Sequence, residues 1–129
     1  MTSRLPVVTV TYSPGEHLRT FVETLPAATT RRVGLVMADN GSKDGVPESV
    51  AAAYEFAEFF PTGGNLGYGT AINRAVTEIS GRPGEFDQEF VLVVNPDVSF
   101  EPGSVYELLA AARRWPRGAA FGPRIAETD

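Results

Sequence analysis

Phe90-Val91-Leu92-Val93-Val94-Asn95-Pro96-Asp97 is a valine-rich apolar run broken off by an amide, a proline and a carboxylate. Five apolar residues without helical spacing predict a strand, and unbroken hydrophobicity predicts helices over both faces, as in parallel sheets. Pro96 fixes its own φ and confines Asn95 to extended geometry, so the peptide after the strand is aimed. Asp97 then stands at the rim of a buried sheet, where a carboxylate stays charged only if it is paired or metal-bound.

The segments on either side repeat the pattern. Leu5–Tyr12, rich in Val and Thr, predicts a strand closed by Ser13-Pro14-Gly15. Leu18, Phe21, Val22 and Leu25 follow at the i, i+3, i+4, i+7 spacing of a helix with one buried face. Val33–Ala38 predicts a second strand, closed by the turn-rich Asp39–Gly45, and the next helix turns Val46, Val50 and Tyr54 inward. A third strand is expected around Glu58–Phe60, leading into Gly63-Gly64-Asn65-Leu66-Gly67 and a helix striped by Ile72, Ala75, Val76 and Ile79. Gly81–Asp87 reads as a polar loop before the central apolar run. A last helix brings Val105, Leu108, Leu109 and Ala112 together, and Gly118–Ile125 is expected to begin one more strand. Alternating β and α elements predict an α/β fold, a mostly parallel twisted sheet with helices on both faces.

Composition bounds what such a sheet can do. The 129 residues, 43% hydrophobic, are enough for one core without staples. With no cysteine, disulfide frameworks, thiolate metal sites and cysteine nucleophiles are excluded. A formal charge of −5 argues against non-specific nucleic-acid binding, which needs a basic face. No apolar run reaches the roughly 18 residues of a membrane span. Leu5–Tyr12 lacks the small-residue cleavage site of a signal peptide, so the default address is cytoplasmic.

In open parallel sheets ligands bind beyond the carboxyl ends of the strands. The residues found there are Thr11-Tyr12, Asp39-Asn40, Gly64–Gly67 and Asn95–Asp97, so this edge is the candidate site. Asp97, with Asn95 or a neighbouring carbonyl, fits a hard divalent cation that takes one or two carboxylates and leaves other positions to substrate phosphates. The same tripeptide would also serve as a turn cap. Asp39 is placed to accept from a nucleobase imide or a ribose hydroxyl, while Asp-Asn-Gly is equally the composition of an ordinary turn. The loop Gly63–Gly69 allows backbone N–H groups and a helix N-terminus to approach an anion. Its spacing matches neither G-x-G-x-x-G nor a Walker loop, and a tight turn explains it too. Asn73 would face solvent or bond back to that loop.

His17, the only histidine, opens the first helix, where a solvated position is the simpler reading and a phosphate contact the alternative. Arg113, Arg114 and Arg117 complement a helix C-terminus, or attract anionic lipid headgroups. Serine-triad and zincin motifs are absent.

Four segments together carry a family resemblance: Val8–Tyr12, Asp39–Gly45, Asn65–Arg74 and Asn95-Pro96-Asp97-Val98. In this order, at these strand ends, the chain resembles the N-terminal, nucleotide-sugar-binding half of family 2 glycosyltransferases with the Rossmann-like GT-A fold. Within that family it is most similar to actinobacterial rhamnosyltransferases, which move L-rhamnose from dTDP-rhamnose to a polyprenyl-diphosphate-linked sugar in cell-wall synthesis. The resemblance implies that Thr11 and Tyr12 line the base and ribose pocket, that Asp39 bonds the pyrimidine imide, and that Asn65 and Gly67 approach the diphosphate or sugar. It implies Asp97 as ligand of a divalent cation, Mg²⁺ or Mn²⁺. Asn95 stands where the family's D-x-D motif has its first Asp, and so contacts nucleotide or sugar instead.

The partners implied are a nucleotide-diphosphate sugar (dTDP-rhamnose or a UDP-sugar) and a lipid-linked acceptor, at the cytoplasmic face of a membrane. Family members are about twice as long, so residues 1–129 are expected to form the donor-binding part, truncated before the acceptor half and its general base. Such a unit would expose a sheet edge open to self-association. Two other readings remain at this point: a sugar nucleotidyltransferase, whose basic phosphate loop after the first strand is missing, and a non-catalytic nucleotide-binding or assembly module.

Overall fold

The computed structural model describes residues 3–126. Its elements run β1 (Leu5–Thr11), α1 (His17–Ala28), β2 (Val33–Asp39), α2 (Val46–Ala53), β3 (Ala57–Pro61), α3 (Tyr68–Ser80), β4 (Leu92–Val93) and α4 (Ser104–Arg114). The four strands form one parallel sheet in the order β3-β2-β1-β4. From β1 the chain winds outward to β2 and β3, then crosses back to place β4 on the other side of β1. The strand order therefore reverses between β1 and β4, the point where open α/β sheets bind ligands.

The alternation of side chains along each strand divides the core in two. Leu5, Val7, Leu35 and Met37 face one layer with Leu18, Phe21, Val22 and Leu25 of α1, Val50 of α2 and Val105 of α4. Val8, Val36 and Ala38 face the other, under Ala71, Ala75 and Ile79 of α3. Every residue of β2 is buried, as a central strand covered on both faces must be.

Three sequence expectations are corrected. The Phe90–Val94 run is covered on one face only: Phe90, Leu92 and Val94 pack on the α1 layer, whereas Val91 and Val93 are each 41% exposed. The reason is that α3 packs on β1 and β2 and leaves β4 bare on that side. Gly118–Ile125 forms no strand among the described residues; Gly118, Gly122 and Pro123 are poor strand formers, and no described strand pairs with the outer edge of β4. The loop Gly81–Asp87 is not purely polar, because Phe86 is buried under the sheet and Arg82 lies 4.9 Å over its ring. Gly34 makes the room: a Cβ there would come within 2.6 Å of the Phe86 ring. Arg82 also pairs with Glu58 on β3 at 2.7 Å, tying this loop to the sheet.

Candidate functional site

Parallel pairing sets Thr11 beside Asp39 in register, so both side chains emerge on the same face at the carboxyl edge. Thr11 Oγ1 donates to Asp39 Oδ1 at 2.7 Å, and Ser42 Oγ donates to the same oxygen. The backbone N–H groups of Gly41 and Ser42 donate to Oδ2 at 3.1 and 3.0 Å. Gly41 takes φ +106°, a left-handed value that brings these amides back over the carboxylate. Asp39 is thus a carboxylate with only 4% exposure and four donors. Burial alone would push its pKa up; the hydrogen bonds from Ser42, Thr11 and the two amides outweigh burial and hold it below the usual carboxylate range.

The neighbouring loops are stitched to this turn. Ser13 N donates to Ser42 Oγ at 2.8 Å and Lys43 N donates to Ser13 Oγ at 2.9 Å. Asp44 accepts from Gly15 N at 2.9 Å and from Val46 N at 3.1 Å, so one carboxylate ties the β1–α1 loop to the first amide of α2. On the other flank, buried Asn40 donates through Nδ2 to Gly67 O at 3.2 Å, while its Oδ1 lies 2.7 Å from Thr62 Oγ1. Arg74 Nη1 donates to Thr62 O at 3.1 Å. Three strand-end loops therefore behave as one hydrogen-bonded unit.

The fourth loop is different. Val98 N donates to Asn95 O at 3.4 Å, closing a turn with Pro96 at its second position. Asn95 and Asp97 are both exposed. Among the described residues no group of three His, Cys, Asp or Glu side chains gathers as a metal cage. A single carboxylate beside an amide still fits a cation that draws most of its ligands from a diphosphate and water.

Each residue singled out in the sequence thus has a place. Thr11 and Asp39 are directly bonded, with Tyr12 exposed beside them. Asn65 is exposed on the β3–α3 loop, and Gly67, at the N-terminus of α3, is held through its carbonyl by Asn40. Asn95 and Asp97 follow β4, across β1 from this unit. Asn73 and His17 both face solvent. Sequence reasoning missed Thr62 and Arg74 as partners of the turn. Grooves of about 500 and 900 Å³ are lined by none of the seven candidate residues, so the site is an open shelf.

Residues 7–129 match the family described as Glycosyl transferase family 2. The chain belongs to that family. All of it aligns, over 133 residues at 50% identity, with the N-acetylglucosaminyl-diphospho-decaprenol L-rhamnosyltransferases of Mycobacterium tuberculosis strains CDC 1551 / Oshkosh and ATCC 25618 / H37Rv. It spans 43% of the length of those relatives. The fold is shared with TarS of S. aureus (TM-score 0.69, 17% identity, 86% of this chain and 20% of that one). It is shared too with the mannosyltransferase PcManGT of Pyrobaculum calidifontis, solved with GDP-Man and Mn2+ (TM-score 0.68, 19% identity, 92% of this chain and 34% of that one). This family 2 chain is therefore a GT-A α/β unit with its polar loops at the carboxyl edge of the sheet.

Proposed function

We propose that this chain is the donor-binding part of an inverting glycosyltransferase that moves L-rhamnose from dTDP-rhamnose to a polyprenyl-diphosphate-linked sugar. The observation that carries the reading is the hydrogen-bonded Thr11–Asp39–Asn40–Gly67 unit on one side of the strand-order reversal, with the exposed Asn95–Asp97 turn following β4 on the other. The mycobacterial relatives, N-acetylglucosaminyl-diphospho-decaprenol L-rhamnosyltransferases, support rhamnose as the sugar and a lipid-linked acceptor. A UDP-sugar remains the alternative donor, since UDP-GlcNAc is the ligand of a TarS structure sharing this fold.

In this reading Tyr12 offers its exposed ring to the base, and Thr11 and Asp39 form the floor beneath it. Asp39 already has four donors, so a base imide reaches it only by displacing one of them. Asn65 and the Gly67 end of α3 lie toward the diphosphate or sugar. Asp97, with Asn95, would hold Mg²⁺ or Mn²⁺, and the bound ion stabilises the charge left on the departing nucleoside diphosphate. No residue of this chain is given the role of general base or acceptor site. We place the reaction at the cytoplasmic face of a membrane. No helix among the described residues is long and apolar enough to cross one. Self-association would run through the outer edge of β4, beside exposed Val91 and Val93.

The test is a titration of dTDP and UDP into isotope-labelled protein with Mg²⁺, followed by backbone amide shifts. The amides of Gly41 and Ser42 and those of Asp97 and Val98 are expected to move, and Mn²⁺ in place of Mg²⁺ should broaden the latter pair most. Spectra unchanged at millimolar nucleotide would overturn the reading.

A further inference from the structure

The end of α4 presents a surface that the donor shelf does not use. Arg113 and Arg114 occupy the last turn of the helix, Trp115 follows, and Arg117 lies two residues beyond. All four are exposed, Trp115 at 67%. The corner is nonetheless ordered: Trp115 N donates to Ala111 O at 3.1 Å and Gly118 N donates to Trp115 O at 2.9 Å. Among the described residues none of these arginines has a carboxylate partner. Charge is strongly segregated here. From Leu108 to Ala126 the sequence has four arginines, counting Arg124, and no acid, giving a formal +4 in a chain whose total is −5.

The helix dipole accounts for Arg113 and Arg114. It does not account for Arg117, outside the helix, or for an indole left in water at the centre of the cluster. Indole rings settle at the boundary between headgroups and acyl chains, and clustered arginines bind phosphate-bearing anionic leaflets. We propose that the Arg113-Arg114-Trp115-Arg117 corner docks on an anionic lipid surface, with guanidinium groups on lipid phosphates and the indole in the interface. The exposed indole at the centre of the cluster favours a lipid interface over nucleic acid as the occupant. The inference does not depend on the donor reading, because none of these residues belongs to the strand-end loops.

Trp115 is the only tryptophan of the chain, so its emission reports the contact directly. Fluorescence and co-sedimentation should be measured with vesicles of phosphatidylcholine alone and with about a third phosphatidylglycerol. Expected are a blue shift and sedimentation with the anionic vesicles only, reversed near 1 M salt, where screening acts within about 3 Å. Arg113→Gln/Arg114→Gln/Arg117→Gln should weaken partitioning roughly ten-fold or more. Trp115→Ser should weaken it less, read by sedimentation. The same triple variant should keep wild-type dTDP binding, which separates failure of this inference from failure of the donor reading. No blue shift, equal binding to neutral vesicles, undiminished binding by the triple variant, or preference for an oligonucleotide over vesicles would each overturn it.

Discussion

The two sides of the shelf differ in how much of their geometry is built before any ligand arrives. On the β1–β2 side, Asp39 and Asn40 are buried, their polar atoms are bonded, and three loops are locked together through them. On the β4 side, one long backbone hydrogen bond closes the Asn95–Val98 turn, and Asn95 and Asp97 stand in solvent. The first arrangement lowers the ordering cost of binding a flat, rigid group such as a base. The second leaves ligand positions free, as a cation that arrives with its diphosphate requires. The same residue type, aspartate after a strand, is thus buried and fully bonded in one place and, among the described residues, exposed and unbonded in the other.

Replacing Asp39 should separate these roles most strongly. Asp39→Ala strands the Thr11 and Ser42 hydroxyls and two amides, so a loss on the order of 3–5 kcal/mol is expected, read from the urea midpoint. An unchanged midpoint would mean that the turn holds itself and the contrast with β4 is only one of exposure. Acid gives a gentler version. The Asp39 pKa is lowered in the folded state, so its stabilisation is complete above the unfolded value of about 4 and is lost as pH falls through the folded value. Thermal midpoints measured from pH 7 down to pH 2 should therefore drop through this range. Asp39→Asn, less stable at neutral pH, should show a shallower drop. Equal slopes for the two proteins would assign the acid sensitivity to other groups.

What could be read in advance follows the same division. β1, β2 and β3 match their sequence expectations to within a residue or so at each end, because short apolar runs bounded by turn residues advertise strands in local composition. Thr11, Asp39 and Asp97 were legible as strand-end polar residues. The partners that make Asp39 and Asn40 rigid were not. Thr62 bonds Asn40 across 22 residues of sequence, and Arg74 reaches Thr62 from the next helix, contacts that no spacing rule contains. Phe86 was hidden for a similar reason: a lone aromatic in a polar loop is buried only because Gly34, far upstream, leaves its ring a place. β4 is only two residues long, and a hydrophobic run does not show how far a strand's pairing extends.

The smallest effect on stability, and the sharpest test of the contrast, is expected at Asp97. Its side chain is exposed and no described hydrogen bond or ion pair uses it, so Asp97→Ala should change the urea midpoint by no more than about 0.5 kcal/mol. Nucleotide binding should respond differently. If Asp97 contributes one ligand to a cation shared with the diphosphate, the variant loses the increment in dTDP affinity that Mg²⁺ or Mn²⁺ provides. Its metal-free affinity, set by the β1–β2 side, should stay as it was. Calorimetric titrations with and without the cation measure both quantities on the same protein. A variant that binds dTDP equally well and still gains from metal would remove Asp97 from the cation site and leave it as a turn residue. A variant that loses affinity in both conditions would show that the turn touches nucleotide directly, and the two sides would then share one task.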